Sequence, residues 1–347
     1  MRPEATATSF ATSPEITLGA PAACSAVTQR PPVIGQRFVA AAGGRLVGSS
    51  GRGLVLRRAA EGSTDGAVVY AVGDVHGRLD LLEALVRQID DHAAGDPNAL
   101  ILCGDYVDRG PDSAGVLEWL LALRRERGES LYLLKGNHEQ ALLRFIAEPG
   151  WGACWIDQFG GAATLSSYGV TPPGPCAGRV DLERARDLLL TQMPASHLHL
   201  LQRLDLMVVF GDHAFVHAGV SPDAPLREQT EDDLLWAREA FIASRRRFEK
   251  VIVHGHSWYD EKPALLRRRI GVDTGAYETG VLTAVRLEDG RREVLQACDE
   301  IAAARQTARR GALAPALVTA PPDYAHAPAA AIRARFSMPT VNLQAGC

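Results

Sequence analysis

The sequence predicts an α/β fold built around a parallel sheet. Three short apolar runs, at residues 67–72, 99–103 and 131–134, have the length and the flanking turn residues of buried strands. Between the runs, apolar residues recur at spacings of three and four, as in amphipathic helices. These are Leu79, Leu82, Leu85, Val86 and Ile89, and then Val116, Leu117, Leu120 and Leu121. The resulting β-α-β-α-β order is typical of a parallel sheet.

The second half of the predicted domain returns to strands after a helical insertion. The insertion covers about 150–206 and is broken by the Pro/Gly-rich stretch 172–175. Strand-like runs follow at 207–210, 214–216, 251–253, 270–272, 281–287 and 293–295. The last two predict a hairpin across Glu288-Asp289-Gly290. The predicted domain therefore spans about 66–298.

Both ends of the chain are predicted to lie outside this domain. Residues 1–65 are rich in Ala, Gly, Ser, Thr and Pro, which predicts a mostly disordered extension with one short strand near 54–57. From Ile16 to Ala60 there are six arginines and no acidic residue, as in transit peptides. No amphipathic period accompanies them, so we favour a flexible basic extension. The tail 299–347 is predicted to be weakly helical and then disordered.

Composition narrows the class of protein. The 347 residues are 46% hydrophobic and 22% charged, which is typical of a globular domain. A net charge of −4 predicts no nucleic-acid or membrane partner, and no apolar run approaches the ~20 residues that span a bilayer. The six cysteines are scattered without a CxxC pair, which favours a reducing compartment. We expect a cytoplasmic monomer.

Five turns carry residues that can bind metal ions. They are GDVHG (73–77), GDYVDRG (104–110), GNHE (136–139), HAG (217–219) and HGHS (254–257). Because the carboxyl ends of parallel strands meet at one edge of a sheet, side chains in these turns are expected to converge. A single such motif is an ordinary turn, and a lone histidine is more often structural. The five together predict a metal site.

The donor types indicate which metal the site binds. Carboxylate, imidazole and amide oxygens bind Mn, Fe or Zn, and no cysteine lies in the five turns. Two ions at about 3.5–4 Å need a bridging ligand, for which Asp105 is the candidate. Asp74 and His76 would complete the coordination of one ion. Asn137, His217 and His256 would complete the coordination of the other. Within HGHS, the choice between His254 and His256 stays open on spacing alone.

The same motifs resemble the signature of the phosphoprotein phosphatase branch of the calcineurin-like metallophosphoesterases. The resemblance covers about 66–298, and GDYVDRG with GNHE is specific to that branch. It implies a four-layer α/β/β/α sandwich, in which helices flank a central β-sandwich. It also implies six metal ligands and favours His256 over His254: Asp74, His76, Asp105, Asn137, His217 and His256. We expect two divalent ions, with Mn favoured over Fe or Zn.

The expected chemistry is hydrolysis of a phosphoester by a metal-activated water. Arg109 can bind phosphoryl oxygens through its guanidinium fork, and the resemblance implies Arg238 as a second fork. The alternative is that Arg238 is a helix-surface residue. His138 is the candidate general acid, with Asp108 holding its imidazolium, as the resemblance also implies. Together with Asn137, these side chains form the predicted phosphate-binding site.

The predicted substrates are phosphoserine and phosphothreonine proteins or peptides, or other small phosphoesters. Two alternatives stay open: hydrolysis of diadenosine tetraphosphate with the same metal core, and a catalytically silent phosphate-binding scaffold. Nuclease activity is disfavoured because the domain is not strongly basic and Trp258 and Tyr259 replace a GHxH ending. The segment GGAATL (160–165) also resembles a substrate-proximal segment of bacterial relatives, although it could be a helix-capping turn.

Overall fold

A computed structural model describes residues 62–237 and 239–304, together with the backbone of Gln36–Phe38. Arg238, the predicted strand near 54–57 and the tail after residue 304 lie outside the described residues. In chain order the described strands are β1 (Gln36–Phe38), β2 (Val69–Val72), β3 (Ala99–Leu102), β4 (Leu131–Leu133), β5 (Met207–Phe210), β6 (His213–Val216), β7 (Val251–His254), β8 (Ala264–Leu265), β9 (Arg269–Gly271), β10 (Val281–Glu288) and β11 (Arg291–Cys298).

The named helices lie between these strands. No described helix is long and apolar enough to cross a membrane. They are α1 (Leu79–Ala93), α2 (Ser113–Arg127), α3 (Asn137–Ala147), α4 (Gly152–Phe159), α5 (Gly161–Ser167), α6 (Arg179–Gln192), α7 (Ala195–Leu201), α8 (Glu231–Trp236), α9 (Glu239–Ile242) and α10 (Ala276–Thr279). Single 3₁₀ turns occur at Gly128–Ser130, Pro149–Trp151 and Leu226–Glu228.

The first sheet has the strand order β11-β10-β2-β3-β4. Strands β2, β3 and β4 are parallel, with Val69 opposite Ala99 and Leu100 opposite Leu131. This confirms the parallel β-α-β-α-β core. Strand β10 pairs antiparallel with β2 and forms the predicted hairpin with β11. The turns that follow β2, β3 and β4 therefore lie side by side at one sheet edge.

The second sheet has the order β1-β5-β6-β7-β9-β8. Strands β6, β7 and β9 are parallel, and Val216 lies opposite His254. His217 and Gly255 thus leave the sheet at the same level. Strand β1 pairs parallel with β5 and lies in the segment that the sequence predicted to be mostly disordered; it was not predicted.

Three clusters of buried hydrophobic side chains pack the layers against one another. Side chains from both sheets meet in the central cluster, among them Ile101, Phe210, Phe215, Val253 and Val285. A larger cluster joins the outer face of the first sheet to α1, α2, α3 and the helices of the insertion. On the outer face of the second sheet, Leu234, Leu235 and Phe241 of α8 and α9 form the third cluster. The predicted α/β/β/α sandwich is confirmed.

The predicted insertion at 150–206 contains α4 to α7, and its break at 172–175 lies between α5 and α6. At the start of the domain, packing begins before the predicted boundary at residue 66. Thr64 is fully buried, and its N–H donates to Asp289 Oδ1 in the turn between β10 and β11. After β11, residues 300–304 are helical.

Replacing Phe215 by alanine should destabilise the sandwich between its two sheets. The ring is fully buried and lies edge-on to Phe210 at a centroid distance of 6.2 Å. Removing it leaves a cavity, so the free energy of unfolding should fall by about 3–5 kcal/mol in urea titration. Val180→Ala is the control, because Val180 is 77% exposed on α6 and its loss should change this free energy by less than about 0.5 kcal/mol. Equal losses in both variants would contradict the assignment of this cluster as the central core.

Candidate metal centre

The turns after five strands of the two sheets meet in one buried site. Asp74 and His76 follow β2, Asp105 follows β3, and Asn137 begins α3 after β4, while His217 and His256 follow strands of the second sheet. The first five of these side chains are 0–3% exposed. Gly104, at φ 101°, permits the close approach of the loops, because a Cβ there would lie 2.8 Å from Gly136 Cα.

The Asp105 carboxylate lies between two imidazoles. His76 Nε2 is 3.5 Å from Asp105 Oδ2, and His217 Nε2 is 3.4 Å from Asp105 Oδ1. Each carboxylate oxygen therefore faces a different histidine. This is the arrangement that a carboxylate bridging two cations requires.

Hydrogen bonds to the backbone orient both imidazoles. His76 donates its Nδ1–H to the Val107 carbonyl at 2.9 Å, and His217 donates its Nδ1–H to the Cys103 carbonyl at 2.8 Å. A carbonyl can only accept, so the hydrogen must be on Nδ1 in both rings. In the neutral rings, the Nε2 lone pairs consequently point at Asp105, as in histidines that bind metals.

Asn137 and His256 join the His217 side of the site. Asn137 Oδ1 lies 2.8 Å from His217 Nε2 and 2.9 Å from His256 Nδ1. His254 instead packs edge-on against Phe241 at 5.1 Å and donates its Nδ1–H to the Gly255 carbonyl at 2.9 Å. The structure brings His256, and not His254, to the other predicted ligands.

Several carboxyl groups are buried close together in the site. Burial, followed by the neighbouring Asp273 and Asp105 carboxylates, raises the pKa of Asp74 well above its usual value. Burial is also the main cause that raises the pKa of Asp105 to about 8. Divalent cations would compensate such clustered charge, whereas without them the carboxyls are driven toward protonation. The donor set therefore fits divalent metal ions.

Two groups of side chains bring their ligand atoms within 4.8 Å of one another: His76, Asp105 and His138, and Asp105, His217 and His256. Asp105 belongs to both groups. Asp74 belongs to neither, and each of its carboxylate oxygens lies 3.0 Å from the His256 backbone nitrogen. The geometry thus includes His138, the predicted acid, in the first group and leaves Asp74 at its margin.

His138 and Asp108 form a buried pair beside these groups. His138 Nδ1 lies 2.8 Å from Asp108 Oδ2, and both side chains are at most 2% exposed. Asp108 Oδ1 accepts from Thr164 Oγ1 at 2.7 Å, and its Oδ2 accepts from Trp155 Nε1 at 3.0 Å. Burial raises the pKa of Asp108 to about 7, and the bonds from Thr164 and Trp155 oppose that rise.

Left-handed backbone is concentrated in the site. Positive φ angles occur at five non-glycine residues of its turns: His76, Asp105, Asp108, Arg109 and His256. Such conformations cost about 1–3 kcal/mol each and persist where the surrounding structure enforces them. At Arg109, with φ 68°, the backbone N–H donates to the Gly160 carbonyl at 3.2 Å, and the exposed side chain lies at the rim of the site.

Comparison with known proteins agrees with this geometry. Residues 67–280 match the model of the family described as calcineurin-like phosphoesterase. The chain belongs to this family. A serine/threonine-protein phosphatase 1 of Salmonella typhimurium is 29% identical over 229 residues, which cover 63% of this chain and 92% of that phosphatase. The resemblance to the phosphoprotein phosphatase branch is thereby confirmed.

Two further similarities concern a shorter segment of one enzyme and one solved structure. A symmetrical bis(5'-nucleosyl)-tetraphosphatase of an Enterobacter species is 44% identical over 78 residues, and the match spans 22% of this chain and 26% of that enzyme. The crystal structure of a metallophosphoesterase from Sphaerobacter thermophilus has a TM-score of 0.41 and 19% identity, and it covers 71% of this chain and 94% of that one.

Sequence reasoning missed several residues of the site. Asp273 is 4% exposed, and its carboxylate lies close enough to raise the pKa of Asp74. It follows β9 in a Gly-containing turn, so the rule that found the five turns could have found it too. Thr164, which contacts Asp108, lies in the segment considered either substrate-proximal or a capping turn; that segment forms α5. No sequence signal linked Trp155 to Asp108.

Glu139, the last residue of GNHE, joins the turn after β3 to the turn after β4 through hydrogen bonds. Its Oε2 accepts the N–H groups of Asp105 at 2.9 Å and Gly136 at 2.8 Å, and its Oε1 accepts those of Tyr106 at 2.7 Å and Val107 at 3.3 Å. Burial, followed by the Asp105 carboxylate, raises the Glu139 pKa to about 7, and the N–H donors oppose this rise.

Replacing Glu139 by glutamine should loosen both turns. Whichever oxygen becomes an amide nitrogen, two backbone N–H groups lose an acceptor and face a donor. The free energy of unfolding should fall by about 2–3 kcal/mol in urea titration. Glu148→Gln is a matched control, because Glu148 is exposed and pairs only loosely with Arg144 at 3.5 Å. An unchanged stability of Glu139→Gln would show that the carboxylate does not hold the turns.

Proposed function

We propose that this chain is a binuclear metal-dependent phosphoesterase that hydrolyses phosphomonoesters. The observation that carries the proposal is the position of Asp105, whose two oxygens face His76 and His217 from opposite sides. In their neutral form, the two imidazoles present Nε2 lone pairs, since both Nδ1–H groups are used by backbone carbonyls. Such a pair of adjoining donor sets suits two cations bridged by one carboxylate.

The proposed ligands of the two ions are those that the family signature implies. Asp74, His76 and Asp105 would hold one ion, and the other would be held by Asp105, Asn137, His217 and His256. When bound, two divalent cations would supply Lewis acidity to the phosphoryl oxygens and lower the pKa of the attacking water. Mn is the proposed metal, with Fe and Zn as alternatives.

His138 would donate the proton that the leaving alkoxide needs. Its Nδ1–H is directed at Asp108, so Nε2 is the nitrogen that faces the site, 3.8 Å from Asp105 Oδ2. The Asp108 carboxylate fixes the ring and favours its charged form. Thr164 and Trp155 hold that carboxylate in place through hydrogen bonds. The pair can therefore hold a proton at a defined position.

Arg109 would bind the phosphoryl group together with Asn137 and His138. Its guanidinium lies at the rim of the site, where its donors suit phosphate oxygens. Arg238 is proposed as a second fork on the strength of the family pattern alone. Phosphoserine and phosphothreonine proteins are the proposed substrates, because the Salmonella relative matched over 92% of its length is named a serine/threonine-protein phosphatase.

Hydrolysis of dinucleoside tetraphosphates is a second candidate. It is supported by the 44% identity over 78 residues to a symmetrical bis(5'-nucleosyl)-tetraphosphatase. The shared segment covers only 26% of that enzyme. We therefore rank the phosphoprotein substrate first.

Metal removal should abolish phosphate release, because the proposed nucleophile needs both cations. The chelator-stripped full-length protein is assayed with and without Mn on an aryl phosphate, a phosphothreonine peptide and diadenosine tetraphosphate. We expect added Mn to raise the rate of phosphate release from the first two substrates at least about a hundredfold over the chelator-stripped protein. Preference for the third would favour the nucleotide hydrolase. Inactivity on all three, with two metals bound, would favour a phosphate-binding scaffold.

The His138→Asn variant tests the general acid. An alkoxide is a poor leaving group without a proton, whereas an activated aryl oxide leaves readily. Turnover of an alkyl phosphate should fall by about 10²–10⁴, and that of the aryl phosphate by much less. His199→Asn is the control, because His199 is exposed on α7 and should leave both rates unchanged. Equal losses on the two substrates would argue against the acid role.

A further inference from the structure

Tyr277, on α10, holds the side chain of Arg109. The Arg109 guanidinium carbon lies 4.6 Å from the centroid of the Tyr277 ring, in cation–π geometry. Arg109 Nη1 also donates a hydrogen bond to the Tyr277 hydroxyl. The Tyr277 ring also packs edge-on against His76 at a centroid distance of 5.2 Å. One aromatic ring thus contacts both a proposed metal ligand and the proposed phosphate-binding arginine.

The backbone that carries Tyr277 is firmly anchored. Thr279 Oγ1 donates to the Thr274 carbonyl at 2.8 Å, and Thr274 Oγ1 donates to the Val281 carbonyl at 2.8 Å. Arg78 Nη1 donates to the Ala276 carbonyl at 3.0 Å. These bonds attach the short helix to β10 and to the start of α1. The ring is therefore presented from a fixed position.

Arg109 needs such a support. Its side chain is exposed, and a long arginine side chain has up to about 2 kcal/mol of rotamer entropy to lose when it is ordered. Its backbone at φ 68° sets the direction in which the side chain leaves the turn. The guanidinium lies over the face of the Tyr277 ring, and this contact uses no N–H donor. The hydrogen bond to the hydroxyl uses one of the five N–H donors of Arg109. Within the described part of the chain the other donors have no acceptor, so they can bind phosphoryl oxygens.

We propose that Tyr277 is a positioning residue that pre-orders the Arg109 guanidinium for phosphate. This deepens the proposed function and rests on it for the role of Arg109. Tyr277 acts through Arg109, so its contribution should be much smaller when the planar guanidinium is replaced by the flexible ammonium of lysine. Lysine keeps the charge but not the planar group that lies on the ring.

The test is a double-mutant cycle on binding of inorganic phosphate. Isothermal titration of the Mn-loaded full-length protein compares wild type, Tyr277→Ala, Arg109→Lys and the double variant. We expect Tyr277→Ala to weaken phosphate binding about tenfold in wild type and less than about twofold in the Arg109→Lys background. Tyr277→Phe, which keeps the ring, should lose about threefold. The same factor in both backgrounds, or no phosphate binding by wild type, would overturn the proposal.

Two controls keep the outcomes distinct. Glu278→Ala alters the exposed next residue of α10 and should leave phosphate binding unchanged. Metal-dependent turnover of the aryl phosphate is measured on the same four proteins. If phosphate binding shows the coupling but wild type has no turnover, the positioning role stands and the proposed hydrolysis fails. If turnover is present and the coupling is absent, the proposed hydrolysis stands and the positioning role of Tyr277 fails.

Discussion

A cluster of buried carboxyl groups is the constraint on which the rest of this structure depends. Asp74, Asp105 and Asp273 lie together at 1–4% exposure, where isolated carboxylates are very unfavourable. In their neutral form, the nearby imidazoles direct Nε2 lone pairs at Asp105. The protein therefore concentrates electron-pair donors where bound cations would offset the charge of the carboxylates. The same cations would supply the chemistry of the site, so its stability and its activity depend on one set of interactions.

The fold meets this constraint with backbone hydrogen bonds. Each site turn comes directly from a short buried strand, so the position of a donor is set by the sheet. Glu139 then joins two of the turns by accepting four N–H groups, and the Val107 and Cys103 carbonyls orient His76 and His217. Several turn residues adopt left-handed backbone, which this network of bonds can enforce. Precision in the centre thus comes from groups that touch no substrate.

Periodicity and local motifs carried much of the prediction. The strands β2, β3 and β4 and the helices between them followed from apolar runs and helical spacing, because both depend on near neighbours in the chain. Spacing could not separate His254 from His256; the family resemblance favoured His256, and the structure packs His254 against Phe241. Strand β1 and the burial of Thr64 were missed, since pairing with distant segments stabilises both. Arg238 stays a prediction, because it lies outside the described residues.

The sequence by itself determined the layered α/β class, the five polar turns and the family. These are encoded in the order and type of neighbouring residues. Only the tertiary structure decided which oxygen of Asp105 faces which imidazole, that Asp273 joins the carboxylate cluster, that Thr164 and Trp155 hold Asp108, and that Tyr277 lies beneath the Arg109 guanidinium. Those contacts join elements far apart in the chain, and their geometry depends on how two twisted sheets and an insertion pack together, which no local pattern specifies.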